Sequence, residues 1–326
     1  MKEIKWGIIG CGNVTEVKSG PAFNKVKNSS LVAVMRRDGA KAKDYASRHH
    51  VPKWYDDAMQ LINDSDVNAI YIATPPSSHE SYTLAAFRSG KPVYVEKPMT
   101  INYSSAINMV AAADETNMKL CIAHYRRAQP YFNKIKQLID DNIIGEVRFA
   151  HLSFYKQQLS KEELELTGNK WRVDASISGG GLFHDLAPHQ IDLMYYFFGE
   201  AAHAKGISIN QSHLYDADDV VAGNILFKNG ILFNGLWSFN VGKEDEKDVC
   251  EIVGSEGSIS FSVFNEQKII LNKNGTTEII SFTPPQHVQQ PLIEKVVEYF
   301  LDKGPNPCSG REGAEVMRLL DAFTEK

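Results

Sequence analysis

The chain has 326 residues, 43% of them hydrophobic and 23% charged, a composition that fits two folded domains and excludes a disordered or fibrous chain. With 35 basic against 40 acidic side chains and a formal charge of -5, no single-sign field favours DNA, RNA or an anionic membrane, so neither a nucleic-acid nor a membrane partner is expected. Cys11, Cys121, Cys250 and Cys308 lie far apart with no C-x-x-C pair and read as reduced thiols. No apolar stretch approaches the roughly 18 residues that span a bilayer. The opening MKEIKWGIIG enters a strand-like run within a few residues, which leaves no room for a signal sequence, and a cytoplasmic location is expected.

From Ile4 to about Ile122 short apolar runs alternate with helical patterns, the sequence form of repeated βαβ units. Strands are predicted at Lys5–Ile9, Leu31–Met35, Ala69–Ala73, Pro92–Val95 and Lys119–Ala123, with helices such as Ala40–Arg48 and Ser78–Arg88 between them. Residues 1–123 are therefore expected to form an α/β Rossmann domain with a doubly wound parallel sheet. The first strand runs into Gly10-Cys11-Gly12-Asn13-Val14-Thr15, where glycines let the backbone approach a pyrophosphate at a helix N-terminus. Thr15 stands where Gly or Ala is usual, which puts close helix packing there in question.

The second strand ends at Met35, where an acidic side chain would hold the ribose hydroxyls of NAD. Arg36 and Arg37 follow instead, and a guanidinium pairs with a 2′-phosphate, which favours NADP. Asp38 is near enough to keep NAD open. The strand at Ala69–Ala73 leads into Thr74-Pro75-Pro76-Ser77-Ser78-His79, a rigid turn at the carboxyl end of a sheet strand and thus a candidate wall of the cofactor groove. His79 by itself is more often structural. The next strand ends in Glu96-Lys97-Pro98, beside the expected nicotinamide, where the Lys97 ammonium could hold a reacting oxygen and stabilise developing negative charge.

After Gly145 the runs lengthen and are separated by the hairpin signals Asn229-Gly230 and Asn274-Gly275. Residues 124–326 are expected to form an α+β domain with a large, mostly antiparallel sheet. Ile231, Phe233, Trp237 and Phe239 alternate toward a buried face, with Asn234 and Ser238 facing elsewhere. Helices at Leu186–Phe198, Pro291–Leu301 and Arg311–Phe323 would cover that face.

This half carries Trp171-Arg172, Gly179-Gly180-Gly181, then Asp185, His189 and Asp192. A helix places the last three on one face. Pro188 is tolerated only in a first turn, so that helix is expected to begin near Ala187 with Asp185 just ahead of it. Imidazole exchanges protons near an unperturbed value of about 6.5, which suits His189 to remove a hydroxyl proton as hydride leaves the carbon. Asp185 could orient His189 or pair with Lys97. One histidine beside two carboxylates is a poor ligand set and hydride transfer needs no metal, so no metal is expected.

Taken together, Gly10 to Val14, Thr74-Pro75-Pro76 with His79, Glu96-Lys97-Pro98, Trp171-Arg172 and the run Gly179 to Asp192 resemble the glucose-fructose oxidoreductase and inositol dehydrogenase family, Gfo/Idh/MocA, over nearly the whole chain. The resemblance implies a nicotinamide-dependent dehydrogenase with substrate bound between its domains. It gives catalytic roles to Lys97, Asp185 and His189 and a substrate contact to Asp192, and makes Arg126, Trp171 and Arg172 candidate pocket residues. It implies a sugar, inositol or related polyol as substrate, and a homodimer or homotetramer assembled through the open sheet face. A few relatives use transient oxidation to cleave a glycosidic bond, which is a second reading. A nucleotide-sensing protein without turnover is a third, against which the Lys97, Asp185 and His189 set argues, since a sensor needs no proton-transfer groups.

Overall fold

The computed structural model describes residues 2–325, apart from the side chains of residues 167 and 168; the outermost ends of the two expected domains, Met1 and Lys326, lie outside the described residues. The chain separates into two compact units, Met1–Ala128 with Pro285–Glu315, and Gln129–Pro284 with Val316–Lys326. A single division at 123/124 thus does not follow the packing, because Pro285–Glu315 belongs with the N-terminal unit.

The first unit holds a six-stranded sheet of β1 (Ile4–Ile9), β2 (Ser29–Met35), β3 (Lys53–Tyr55), β4 (Ala69–Ile72), β5 (Val93–Val95) and β6 (Leu120–Ile122). Every pairing is parallel and the order is β3-β2-β1-β4-β5-β6, the doubly wound arrangement whose chain reversal beside β1 opens a ligand crevice. Strands β4, β5 and β6 are buried at every residue, as strands covered on both faces must be. Between the strands run α1 (Asn13–Val17), α2 (Gly39–Arg48), α3 (Ala58–Asn63), α4 (His79–Arg88) and α5 (Tyr103–Thr116). Asp38, Asp57 and Asn102 start α2, α3 and α5 by accepting backbone N–H groups of Lys41, Gln60 and Ser105. Trp6, Phe23, Tyr71, Tyr94 and Phe300 form an aromatic core, with centroids 4.9 to 5.5 Å apart for Trp6–Phe23, Phe23–Tyr71, Tyr71–Tyr94 and Trp6–Phe300.

The second unit opens with α6 (Pro130–Asp140) and β7 (Val147–Gln157), continues through α7 (Lys161–Glu165), α8 (Thr167–Val173), α9 (Ala175–Ser178) and α10 (Gly181–Phe198), and then enters β8 (Ala201–Ile209), β9 (Val220–Phe227), β10 (Leu232–Val241), β11 (Lys247–Gly254), β12 (Gly257–Phe261), β13 (Lys268–Lys273) and β14 (Thr276–Ser281). These strands make one eight-stranded sheet, β14-β13-β12-β11-β7-β10-β9-β8. Its pairings are antiparallel except β7 with β10. Asn274 and Gly275, both at positive φ, join β13 to β14 in a two-residue hairpin. Phe233 and Trp237 are buried as alternation requires, but Ser238 is buried as well, its Oγ 2.8 Å from Asn240. The β7 register shifts just beyond Ser238 and breaks the strict alternation there.

Two helices close the chain, α11 (Gln290–Phe300) and α12 (Gly310–Thr324). Contrary to expectation, α11 does not cover the second sheet. It buries Leu292, Ile293, Val296, Val297 and Phe300 in the first unit, with Phe300 against Trp6. The end of α12 does meet the second sheet. Gly206, Gly223 and Gly235 lie side by side across β8, β9 and β10. A Cβ on Gly223 would sit 2.4 Å from the Phe323 ring, and one on Gly206 2.6 Å from the Phe323 Cα. Gly206 and Gly223 leave a trough with room for the end of the helix, while the space beside Gly235 is filled by the Trp237 ring, 2.4 Å from where a Cβ would sit.

Helix α10 begins earlier than the sequence suggests, at Gly181 rather than near Ala187. Its start is set by Ser178, whose Oγ accepts the Gly181 N–H at 2.8 Å, and by Gly181 itself, at φ +75 with Ala217 pressed against the space a Cβ would fill. Pro188 lies inside the helix and withholds the donor owed to the His184 carbonyl. Burial of Phe183, Ala187, Ile191 and Met194 on either side carries the helix through.

Candidate active site

In the first unit the expected cofactor residues collect at the carboxyl ends of β1, β2, β4 and β5. Gly10 has φ +95, and a Cβ on it would strike Thr74 Cγ2 at 2.8 Å and the Ala73 carbonyl carbon at 2.9 Å. The glycine turn therefore lies directly against the end of β4. On its other side the turn is open: a Cβ on Gly12 would meet only the Gly10 oxygen, at 3.9 Å. A bare backbone turn, tight on one side and open on the other, is what close approach of a pyrophosphate requires.

Thr15 fits the position that the sequence left in question. It is fully buried, and its hydroxyl accepts the Gly12 N–H at 3.0 Å and donates to the Gly12 carbonyl at 2.9 Å. Cys11 between the glycines is also buried, which pushes its thiol up to about 11. Asn13 is exposed and Val14 half-buried at the start of α1. Glu16 is held down to about 2, chiefly by hydrogen bonding from Arg48.

Arg36 and Arg37 follow β2 as exposed side chains, with Arg36 Nη1 3.4 Å from the Cys11 carbonyl. Asp38 is already engaged, capping α2 through the Lys41 N–H at 3.2 Å and pairing with the Lys41 ammonium at 3.3 Å. After β4, Thr74 and Pro75 are half-buried and Pro76 is buried. Ser78 Oγ donates to Thr74 Oγ1 at 2.7 Å. His79 is fully buried, unlike a groove-lining residue. Its Nε2 lies 2.8 Å from the Thr74 carbonyl, and its Nδ1 lies 3.1 and 3.2 Å from the carbonyls of Pro98 and Met99. The ring thus ties the turn after β4 to the turn after β5, and burial pushes it down to about 4.

Lys97 follows β5, half-buried, and is joined to Pro98 by a cis peptide. Glu96 is buried beneath it. The Glu96 carboxylate accepts from the Tyr71 hydroxyl at 2.5 Å, the Gln289 amide at 2.6 Å and the Lys97 N–H at 3.2 Å. Neither Tyr71 nor Gln289 was visible as a site residue in sequence, since one reads as a core aromatic and the other lies 193 positions beyond Glu96. Arg126, in the 3-10 turn Tyr125–Ala128, is buried with its guanidinium 5.4 Å from the Tyr125 ring centroid.

In the second unit α10 carries Asp185, His189 and Asp192, with His189 and Asp192 buried and Asp185 half-buried. Arg172, from α8, donates its Nε–H to Asp185 at 2.8 Å, and its guanidinium lies 4.6 Å from the Trp171 ring centroid. The Phe264 ring meets the His189 imidazole edge-on at 5.5 Å. The Phe264 loop is in turn held by buried Asp248, which accepts the N–H groups of Val263, Phe264 and Asn265 at 3.1, 2.6 and 3.1 Å. No sequence signal marks Phe264 or Asp248, because a loop anchor of this kind depends on β11 and β12 being paired. Among the described residues no group of three or more His, Cys, Asp or Glu could hold a metal ion, and no helix is long and apolar enough to cross a membrane.

A doubly wound sheet with an open glycine turn at its crevice, followed by a domain that presents an imidazole flanked by carboxylates, defines an oxidoreductase of the dinucleotide-binding class. Residues 4–124 match the model of an oxidoreductase family with an NAD-binding Rossmann fold, and residues 132–260 match the GFO/IDH/MocA C-terminal domain. The chain belongs to the Gfo/Idh/MocA oxidoreductases, and its first domain is an NAD-binding Rossmann domain. It is 50% identical over 320 residues, 98% of either chain, to Oxidoreductase P35 of Formosa agariphila. It is 25% identical over 261 residues, covering 78% of this chain and 74% of the other, to the 1,5-anhydro-D-fructose reductase of Ensifer adhaerens. Its fold is shared with a levoglucosan dehydrogenase in complex with NADH and levoglucosan, with a TM-score of 0.84 at 20% identity, covering 98% of this chain and 96% of that one.

Proposed function

We propose that the protein is an NAD(P)-dependent dehydrogenase or reductase that interconverts a secondary hydroxyl and a ketone on a sugar, inositol or related polyol. The observation that carries this reading is the face of α10, where Asp185, fixed by Arg172, stands one turn ahead of His189 and Asp192 follows. Hydrogen-bonding side chains of this kind suit a polyhydroxylated ligand, and the related 1,5-anhydro-D-fructose reductase is named for a sugar derivative.

The bound nicotinamide would supply the hydride acceptor or donor. Gly10, Gly12, Asn13 and Val14 would hold the pyrophosphate, with Thr74, Pro75 and Pro76 as the neighbouring wall. Arg36 and Arg37 would pair with a 2′-phosphate. Asp38, occupied as the cap of α2, is poorly placed to bind ribose hydroxyls instead, and NADP is the favoured nucleotide. In the oxidative direction His189 takes the hydroxyl proton, and in the reductive direction it returns it. Lys97 holds the reacting oxygen and stabilises negative charge on it. Asp185 orients the proton-transfer group, while Asp192, Trp171, Arg172 and Arg126 contact substrate. His79 and Glu96 serve the nucleotide site by fixing the turns around it. The cytoplasm supplies the expected nucleotide pool, and the exposed apolar side chains Phe149, Ile207, Leu226, Leu232 and Leu236 on the second sheet suit pairing with a second copy.

The test is nicotinamide absorbance with NADPH or NADH against ketoses and 1,5-anhydro-D-fructose, and with NADP or NAD against levoglucosan, inositols and aldoses. Turnover of a hydroxyl or keto compound supports the reading. Release of free sugar from a glycoside without net nucleotide change supports the glycosidase alternative, and tight nucleotide binding without any turnover contradicts both.

A further inference from the structure

We propose that Gln289 is a positioning residue for Lys97, acting through the buried carboxylate of Glu96. The carboxylate accepts the backbone N–H of Lys97 at 3.2 Å, so its own placement sets where the Lys97 backbone leaves β5. It is held from below by Tyr71 at 2.5 Å and Gln289 at 2.6 Å. A buried carboxylate is tolerated only with such donors.

The Gln289 amide can face only one way. Its Nε2 donates to Glu96 and its Oε1 accepts from the Tyr94 hydroxyl at 3.1 Å, whereas the flipped amide would set an oxygen against the carboxylate. The segment bearing Gln289 is itself pinned. Its backbone N–H donates to the Lys18 carbonyl at 3.2 Å, and His287 Nδ1 lies 2.6 Å from the Val17 carbonyl while its Nε2 lies 2.8 Å from the Lys25 ammonium. An ammonium only donates, so Nε2 accepts and Nδ1 carries the proton given to Val17. Residues 287–289 therefore strap the end of α1, directly behind the nucleotide turn, to the carboxylate beneath Lys97.

Removing the Gln289 donor leaves the carboxylate short of one hydrogen bond. The carboxylate is then no longer fixed against the Lys97 N–H, and the Lys97 side chain loses its set exit from β5. The test is competitive acetylation of the nucleotide-free protein with acetic anhydride at mildly alkaline pH, read by mass spectrometry for each lysine. In Gln289→Leu the labelling of Lys97 changes by about threefold or more relative to exposed Lys43 and Lys205, the scale of one lost hydrogen bond. Tyr71→Phe, which deletes a single oxygen, gives the same change and answers the question should Gln289→Leu not fold. Unchanged Lys97 labelling, or an equal change at every lysine, overturns the proposal. The inference rests on the role of Lys97 proposed above, but labelling needs no substrate, so failure of that role in Lys97→Met kinetics is read separately.

Discussion

Arg172 donates its Nε–H to Asp185 over 2.8 Å, so the carboxylate one turn ahead of His189 is oriented by a guanidinium from a different helix. The pair is partly shielded, with side-chain exposures of 28% and 13%, where a charge-assisted bond is worth more than on an open surface. Arg172→Ala is expected to lower kcat/KM by about tenfold or more, on the scale of roughly 1.5–3 kcal/mol for a charged hydrogen bond. Arg172→Lys is expected to recover little, since lysine lacks the fixed Nε–H geometry. Steady-state kinetics of both variants check this; full activity in Arg172→Lys would reduce the pair to packing.

Nucleotide preference should follow Arg36. Loss of its guanidinium in Arg36→Ala is expected to weaken NADPH by about tenfold or more while changing NADH by less than about twofold, because only the former carries the 2′-phosphate. Fluorescence titration with each nucleotide measures it. Equal losses for both would remove the argument for NADP.

The glycine trough of the second sheet makes a stability prediction. In Gly223→Ala the new Cβ would lie 2.4 Å from the Phe323 ring, and Phe323 is fully buried, so the ring can yield only by moving the end of α12. Overpacking of this kind costs about 1–3 kcal/mol. Urea unfolding should show a lowered midpoint with an unchanged slope. A midpoint equal to that of the unaltered protein would mean that the helix end shifts freely.

Much of this arrangement was legible from the chain. The strands ending at Ile9, Met35 and Val95 were readable because buried parallel strands are short, nearly continuous apolar runs, and the turns after them carry Gly10, Arg36 and Lys97. Edge strand β3 and helix α5 gave no comparable signal: β3 is three partly exposed residues, and α5 is rich in Ala with few core positions. The early start of α10 was missed because Pro188 reads locally as a helix start, while the burial that overrides it is tertiary. The support beneath Lys97 could not be read at all, since Tyr71, Glu96 and Gln289 meet only after β4, β5 and the segment before α11 have packed.

Two buried imidazoles link stability to pH. Burial pushes His184 from 6.5 down to about 4, and His79 likewise. As pH falls below about 6.5 the unfolded chain takes up these protons and the folded chain does not until about 4, so stability is lost across that window and is fully present above it. Each histidine contributes a slope of up to about 1.4 kcal/mol per pH unit. His184→Phe, which keeps a buried ring, should show a shallower fall in urea-unfolding free energy between about pH 7 and about pH 5. An identical fall would mean that His184 does not titrate with folding.

The central claim is that Lys97 and His189 serve one hydride transfer, the first steadying the oxygen and the second moving its proton. Single-turnover measurement of nicotinamide oxidation with bound nucleotide and a reducible substrate tests it most directly, in Lys97→Met, His189→Ala and the double variant. Each single substitution is expected to slow the step by about a hundred- to ten-thousandfold. The double variant should be slower by much less than the product of the two, as for groups that act as a unit. Wild-type rates in either single variant would contradict the account.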